Sequence, residues 1–415
     1  MPQRVSLSAR AQAMPASPIR KLIPLADEAK KRGTTVYHLN IGQPDIPTPP
    51  AFLEAVHNFK PTVVAYGRSE GEHDLIRAFI NYYARFGIKL EFGELHVTTA
   101  GSEAILFALL VTCDPGDEAV VFEPFYTNYN GFARTASVNL APLATDPAAG
   151  YHLPPLEEIE AAVTDKTRVI LVCNPNNPTG AVLRRDEVEM LGDIARERGL
   201  FVISDEVYRE FTYDGTTHTS IMDIKGMEDR AIITDSISKR YSACGARIGC
   251  IASKNRDIMQ AALRFGQARL SPPVIEQAAT LAAVSQPPEE YVTPTIEEYR
   301  RRRDVVYDAV KEMPGVFVVK PEGAFYMVPE FPVDDAEKFV SWMLTDFEYE
   351  GSTVMLAPAN GFYATPGAGA RQARIAYVLD VEQLTHAMKA LAAGLAAYPG
   401  RDESLTQTAR AEVKA

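Results

Sequence analysis

Cysteine is scarce and unpatterned. Cys113, Cys173, Cys244 and Cys250 are scattered over 415 residues with no CxxC pair. That argues against a zinc ribbon or a disulfide frame and fits reduced thiols in a cytoplasmic protein, buried as small apolar side chains. No uninterrupted apolar run reaches membrane-spanning length, so no transmembrane helix is expected. The opening "MPQRVSLSARAQAMPASPIRKL" has arginines and serines but no apolar signal core. No secretion is expected from it, and its smooth passage into a helical pattern weakens a transit-peptide reading. Positive charge is in deficit, with Lys and Arg 42 against Asp and Glu 54, a net −12. Such a chain is a poor candidate for a nucleic-acid backbone or an anionic membrane, while a local basic pocket for a small anion stays open. GxxxxGK[ST], HExxH and GxGxxG are all missing, which leaves ATP, zincin and dinucleotide readings without support. No internal repeat is found.

Apolar residues make up 46% of the chain, enough for a substantial core, and the length suggests two domains or one large domain with a satellite. From about residue 95, short apolar runs alternate with helical patterns. "LHVTTA", "EAVVFEP", "RVILVCNP", "FVISDE" and "AIITDSIS" are β-branched and end in polar or small residues. "DEVEMLGDIARERG" is a helix between two of them, acidic at its start and stopped by Gly199. Near-continuous apolar strands alternating with helices predict a mostly parallel sheet covered on both faces. "RIGCIAS" follows the last strand too closely for a crossover helix and reads as antiparallel. From about residue 296 the texture changes. "TIEEYRRRRDVVYDAVKEM" is a long charged helix, "FVVKPEGAFYMVPEF" and "QARIAYVLD" read as strands of a smaller α+β unit, and "APANGFYATPGAGA" is a loop. The polar tail "GRDESLTQTARAEVKA" is expected to fray.

In a parallel sheet, function collects beyond the carboxyl ends of the strands. Four such ends carry polar motifs. "TAGSEA" (99–104) opens a helix with small residues whose free N–H groups suit a phosphate, or are a simple helix start. "NPNNPTG" (174–180) is a turn that offers an amide. "SDEVY" (204–208) places an acid where it could also be an N-cap. "TDSISKRYSACGARIG" (234–249) sets a lysine among hydroxyls, with an arginine eight residues on. "GRSEG" (67–71) matches the GxSxG pattern, so a serine hydrolase using Ser69 is an alternative, although no HGGG-type segment precedes it. An anion cradle, an amide, a carboxylate and a lysine at four ends of one sheet suit a lysine that forms a Schiff base with an aldehyde cofactor.

With these motifs the chain resembles the fold-type I pyridoxal-phosphate (PLP) enzymes, specifically the class I/II aminotransferases and among them the aspartate and aromatic group. The resemblance runs from "LNIGQPDIPTP" to "QARIAYVLD". It implies an α/β fold with a large PLP-binding domain at 48–295 and a small α+β domain from 1–47 and 296–415. It implies an aminotransferase that moves an amino group between an L-amino acid, aspartate favoured, and a 2-keto acid such as 2-oxoglutarate. Lys239 would carry the cofactor and move the proton. Asp205 would hold the pyridine nitrogen protonated, and Asn177 and Tyr208 would bond the phenolic oxygen. Ser236, Ser238, Arg247 and the N–H groups of Ser102 and Glu103 would hold the phosphate. Tyr126 would stack on the ring. Arg374 would clamp the substrate carboxylate, approached by the backbone of Gly42. Tyr66 would reach a neighbouring subunit's phosphate, which implies a homodimer with shared sites.

Substrate choice strains the resemblance. Many aspartate enzymes take the distal carboxylate on a partner-subunit arginine a few residues before a Ser/Asn-Pro-Pro turn. Here the turn is Ser271–Pro273 and the aligned residue is Gly266, so either a different basic residue, with Arg68, Arg264 and Arg269 as candidates, takes the distal carboxylate or the enzyme prefers neutral or aromatic amino acids. Another subgroup uses a lysine where this chain has Glu103, which would repel a dicarboxylate if it faced the substrate. Aromatic- or alanine-type aminotransferases and PLP-dependent β-lyases remain alternatives, since one fold hosts several reactions.

Overall fold

A computed structural model of the protein describes residues 6–402 and 404. Residues 1–5, 403 and 405–415, which include most of the tail expected to fray, lie outside the described residues. Twelve strands are present among the described residues: β1 Thr35–His38, β2 Leu95–Thr98, β3 Glu118–Glu123, β4 Asn139–Ala144, β5 Thr167–Cys173, β6 Phe201–Asp205, β7 Ala231–Ser236, β8 Gly249–Ala252, β9 Tyr326–Met327, β10 Ser352–Met355, β11 Ala357–Pro358 and β12 Ala373–Ala376. Seven form one sheet in the order β2-β8-β7-β6-β5-β3-β4. β8 pairs antiparallel with both β7 and β2, and every other pairing in the sheet is parallel. Six strands therefore point their carboxyl ends the same way.

The apolar runs become central strands because helices cover both faces. Val169, Ile170, Val202, Ile203, Ile232 and Ile233 are fully buried, each contributing about 1.5–3 kcal/mol through its removal from water. The helix Ala100–Thr112 is apolar around most of its circumference and packs on β7 and β8, as expected of a helix buried on several sides. The helix Arg185–Arg198 has one buried face. It starts with the Glu187 carboxylate accepting from the N–H of Arg184 and ends at Gly199 with φ 69°.

The later chain builds two small sheets. β1 pairs parallel with β10, and β11, β12 and β9 pair antiparallel. The charged run becomes the helix Val292–Lys311. Much of "FVVKPEGAFYMVPEF" is irregular, with only Tyr326–Met327 in a strand. The expected loop 357–370 holds the short strand β11 and a 3₁₀ turn at Ala359–Phe362.

Candidate active site

A cavity of about 660 Å³ opens where β5, β6 and β7 end and the small sheets begin, a size that suits a cofactor with a small substrate. Lys239 lies in the short helix Ile237–Arg240 directly after β7. Its Nζ donates to Gly42 O at 2.8 Å and lies 3.8 Å from Cys244 Sγ. Burial disfavours its ammonium form, but the Tyr326 and Tyr126 hydroxyls and the Cys244 thiol more than offset that, and its pKa stands above the ordinary lysine value.

Asp205 ends β6. Its Oδ2 accepts from the Tyr129 hydroxyl at 3.0 Å and its Oδ1 from Val207 N at 3.4 Å. Desolvation raises its pKa to about 7, with Asp235 and Glu206 adding to the rise against those two donors. A buried carboxylate held so high is short of a positive neighbour, and a protonated ring nitrogen would supply one. Tyr126 and Asn177 line the same cavity, as does Tyr208. The Tyr208 hydroxyl is 2.8 Å from that of Tyr326, a partner that sequence reasoning did not supply.

An anion cradle sits at one end. Ser236 Oγ and Ser238 Oγ are 2.7 Å apart, and Ser236 Oγ accepts from Ser238 N at 3.1 Å. Ser102 and Arg247 line the cavity beside them. Arg247 donates to Cys244 O at 3.0 Å and is otherwise exposed. Beneath, Asp235 braces the turn by accepting from Ser236 N at 2.6 Å, the Tyr83 hydroxyl at 2.9 Å and Arg240 at 2.6 Å. Three serine and arginine side chains with a helix N-terminus suit a phosphate.

At the other end Arg374, on β12, is buried. It donates to Asn177 Oδ1 at 2.9 Å and to Asn40 O at 2.6 Å. Its Nε has no partner among the described residues, a buried donor that a carboxylate would satisfy. Its guanidinium lies 4.4 Å from the Tyr326 ring centroid. A Cβ on Gly42 would fall 1.8 Å from Tyr326 Oη, so only glycine fits there.

The side chain of Glu103 and the whole of Tyr66 stand apart from the cavity. The Glu103 side chain turns away to accept from Thr99 N at 2.7 Å and from Arg269 Nε at 3.1 Å, so Arg269 is occupied and Glu103 does not present a bare carboxylate to the cavity. Tyr66 does not line this chain's cavity and is 82% exposed. Ser69 lies in a turn with no strand running into it, which removes the nucleophile-elbow geometry. Sequence reasoning also missed Asn40, Asp235 and Arg240, each tied to a distant part of the chain: Asn40 to Ile19 and Arg374, Asp235 to Tyr83, and Arg240 to Glu210.

A lysine and an acid at adjacent strand ends, between an anion cradle and a buried arginine, define a fold-type I enzyme of the kind that works on amino acids. The comparisons narrow the class: residues 34–391 match the aminotransferase class I and II family, and the chain belongs to it. It is 31% identical to the aspartate aminotransferase of Thermotoga maritima over 89% of this chain and 95% of that one. A single mutant of the Thermus thermophilus aspartate aminotransferase superposes with a TM-score of 0.86 at 28% identity, covering 94% of this chain and all of that one. The alanine aminotransferase of Pyrococcus furiosus matches with the same TM-score at 30% identity and the same coverage. The chain is an aminotransferase, and its family works with pyridoxal phosphate.

Proposed function

We propose that this aminotransferase moves the amino group of an L-amino acid, aspartate first, to a 2-keto acid such as 2-oxoglutarate, with PLP held covalently by Lys239. The observation that carries the reading is that Lys239, Asp205, Arg247 and Arg374, from four separate parts of the chain, line one cavity. Ser236, Ser238, Arg247 and the N–H groups of Ser102 and Glu103 would take the phosphate, Tyr126 the ring face, Asp205 the ring nitrogen, and Asn177 with Tyr208 the phenolic oxygen. Bound there, PLP supplies a carbonyl carbon for the amino group and a ring that stores the electron pair left when the substrate α-proton departs.

The chain's own groups do the rest. Arg374 takes the substrate α-carboxylate with its planar fork, aligned by Asn177 and Asn40. The Lys239 amine, when free, would be the base that takes the α-proton. Gly42 O, its hydrogen-bond partner, orients Nζ, and the absence of a side chain there leaves room for the Tyr326 hydroxyl. Glu103, tied to Arg269, does not set a bare carboxylate against an acidic substrate, so it is no obstacle to aspartate.

We further infer a division at 48–295 for cofactor binding and 1–47 with 296–415 for the small domain. The seven-stranded sheet lies wholly within the first part and both small sheets in the second. A cytoplasmic homodimer fits the free cysteines and the exposure of Tyr66. Among the described residues no helix is long and apolar enough to cross a membrane.

The test is the visible spectrum of protein supplied with PLP, with Lys239→Ala as control. The wild type should show a yellow band that aspartate bleaches and 2-oxoglutarate restores, absent in the variant. A band responsive only to alanine or phenylalanine would replace aspartate as substrate. No band at all would sink the reading.

A further inference from the structure

Four cationic side chains line the cavity: Arg20, Lys239, Arg247 and Arg374. Three of them have work in the function proposed above. Arg20 has none, and among the described residues its side chain makes no ion pair and no hydrogen bond. Its place is nonetheless built. Residues 17–22 form a turn along the cavity mouth, where Ser17 and Ile19 also line it. Every neighbour of Arg20 is fastened. Pro18 packs on Gly361, where an added Cβ would fall 2.3 Å from the proline ring. Ile19 O accepts from Asn40 Nδ2 at 3.1 Å, Lys21 pairs with Glu337, and Leu22 is buried. Asn40 is also the residue whose carbonyl aligns Arg374, so one side chain and its own backbone tie the Arg20 turn to the α-carboxylate clamp.

The other arginines near the site are less suited. Arg269 is paired with Glu103 and donates to Ser69 O. Arg68 is exposed beside Glu70 at 3.7 Å, and neither it nor Arg264 lines the cavity of its own chain, which leaves them at most a place in a partner's site. Asp205 is the one carboxylate lining the cavity among the described residues, and it is committed to the cofactor side. A second negative charge on the substrate therefore finds one unpaired cation on this chain.

We propose that Arg20 receives the distal carboxylate of a dicarboxylic substrate and so sets the preference of this aminotransferase for acidic over neutral amino acids. The proposal rests on the aminotransferase reading of the same cavity. A guanidinium fits a carboxylate through two parallel N–H donors, and loss of such a charged contact costs about 10- to 100-fold in a binding or rate constant.

The experiment compares the PLP-loaded wild type with Arg20→Met and Arg20→Lys. The ratio of kcat/KM for aspartate to that for alanine should fall about 10- to 100-fold in Arg20→Met and partly recover in Arg20→Lys. Succinate, which has both carboxylates and no amino group, should bind the Arg20→Met holoenzyme more weakly by a similar factor in calorimetry. Because Arg20 is exposed, an unchanged melting temperature in both variants is expected. A wild type that exchanges amino groups while the ratio and succinate binding do not move would overturn the assignment of Arg20 alone. A wild type active only on neutral amino acids, without succinate binding, would overturn it as well. A wild type that exchanges with no amino acid would remove the aminotransferase reading and Arg20 with it.

Discussion

At the scale of single residues, the site is a set of groups held in states they would not choose in water. Asp205 is the clearest case, with a pKa of about 7 against its ordinary 3.8. The consequence for stability has a definite sign. Below pH 3.8 the carboxyl is protonated in both folded and unfolded chains and contributes no slope. Between pH 3.8 and about 7 the folded protein keeps a proton that the unfolded chain has lost, so rising pH destabilises the fold. Above about 7 both forms are ionised and the penalty is constant. Cofactor-free wild type should therefore lose thermal stability across that window relative to Asp205→Asn, and the added PLP should flatten the difference by giving the carboxylate a cation. Melting curves of the two proteins at several pH values, with and without PLP, check this. Parallel curves for the two apo-proteins would mean that Asp205 is solvated in a way its burial does not suggest. Arg374 is the complementary case, a guanidinium whose charge survives burial because Asn177, Asn40 and the Tyr326 face surround it.

At the scale of elements, the β7–turn–β8 unit carries most of the site. It delivers Ser236, Ser238, Lys239 and Arg247 within one tight return of the chain. The return works because β8 enters the sheet with no side chain at its first residue. A Cβ at Gly249 would lie 2.5 Å from Asp235 O and 2.6 Å from Ala100 C, with backbone on both sides and nothing free to rotate away. Gly249→Ala should cost about 1–3 kcal/mol by overpacking and weaken phosphate-dependent PLP binding in the same variant. Denaturant unfolding and PLP titration measure the two effects. Stability near wild type with intact PLP binding would show that β7 and the helix at Ala100 can part cheaply.

The legibility of the sequence also divides by element. β3, β5, β6 and β7 were readable because their side chains are buried on both faces, which leaves continuous apolar runs. β4, "NLAPLA", was not readable. It is an edge strand with half-exposed positions, the kind of strand in which a proline such as Pro142 is tolerated. The small sheets hold strands of two to four residues, too short for an alternating pattern to show. The site followed the same rule. Polar motifs at strand ends were visible, whereas Tyr326, Asn40, Asp235 and Arg240 matter through contacts with distant parts of the chain. The GxSxG match in "GRSEG" misleads for a similar reason, since a five-residue pattern does not specify the strand that must run into it.

At the scale of the whole molecule, two features pull in opposite directions. The chain is acidic, with a net charge of −12, yet the cavity gathers four cations around one carboxylate. Such a local field collects small anions in a molecule that otherwise repels them, and salt should weaken their capture. The second feature is an apolar strip. Val63, Val64 and Tyr66 are 72%, 61% and 82% exposed. An exposed apolar patch of this kind marks an interaction surface. Under the proposed role for Tyr66 the partner would be a second copy, because Tyr66 does not line its own chain's cavity. In the proposed homodimer the strip would do two jobs, burying apolar area between subunits and carrying a hydroxyl to the neighbour's phosphate. Val64→Asp should convert the dimer into monomers in sedimentation equilibrium and reduce PLP affinity, although Val64 itself touches no cofactor. Tyr66→Phe should leave the dimer intact and lower PLP affinity alone, by about 10-fold for one hydroxyl contact to a charged phosphate. A Val64→Asp protein that stays dimeric with full PLP affinity would place the interface elsewhere and detach Tyr66 from the site.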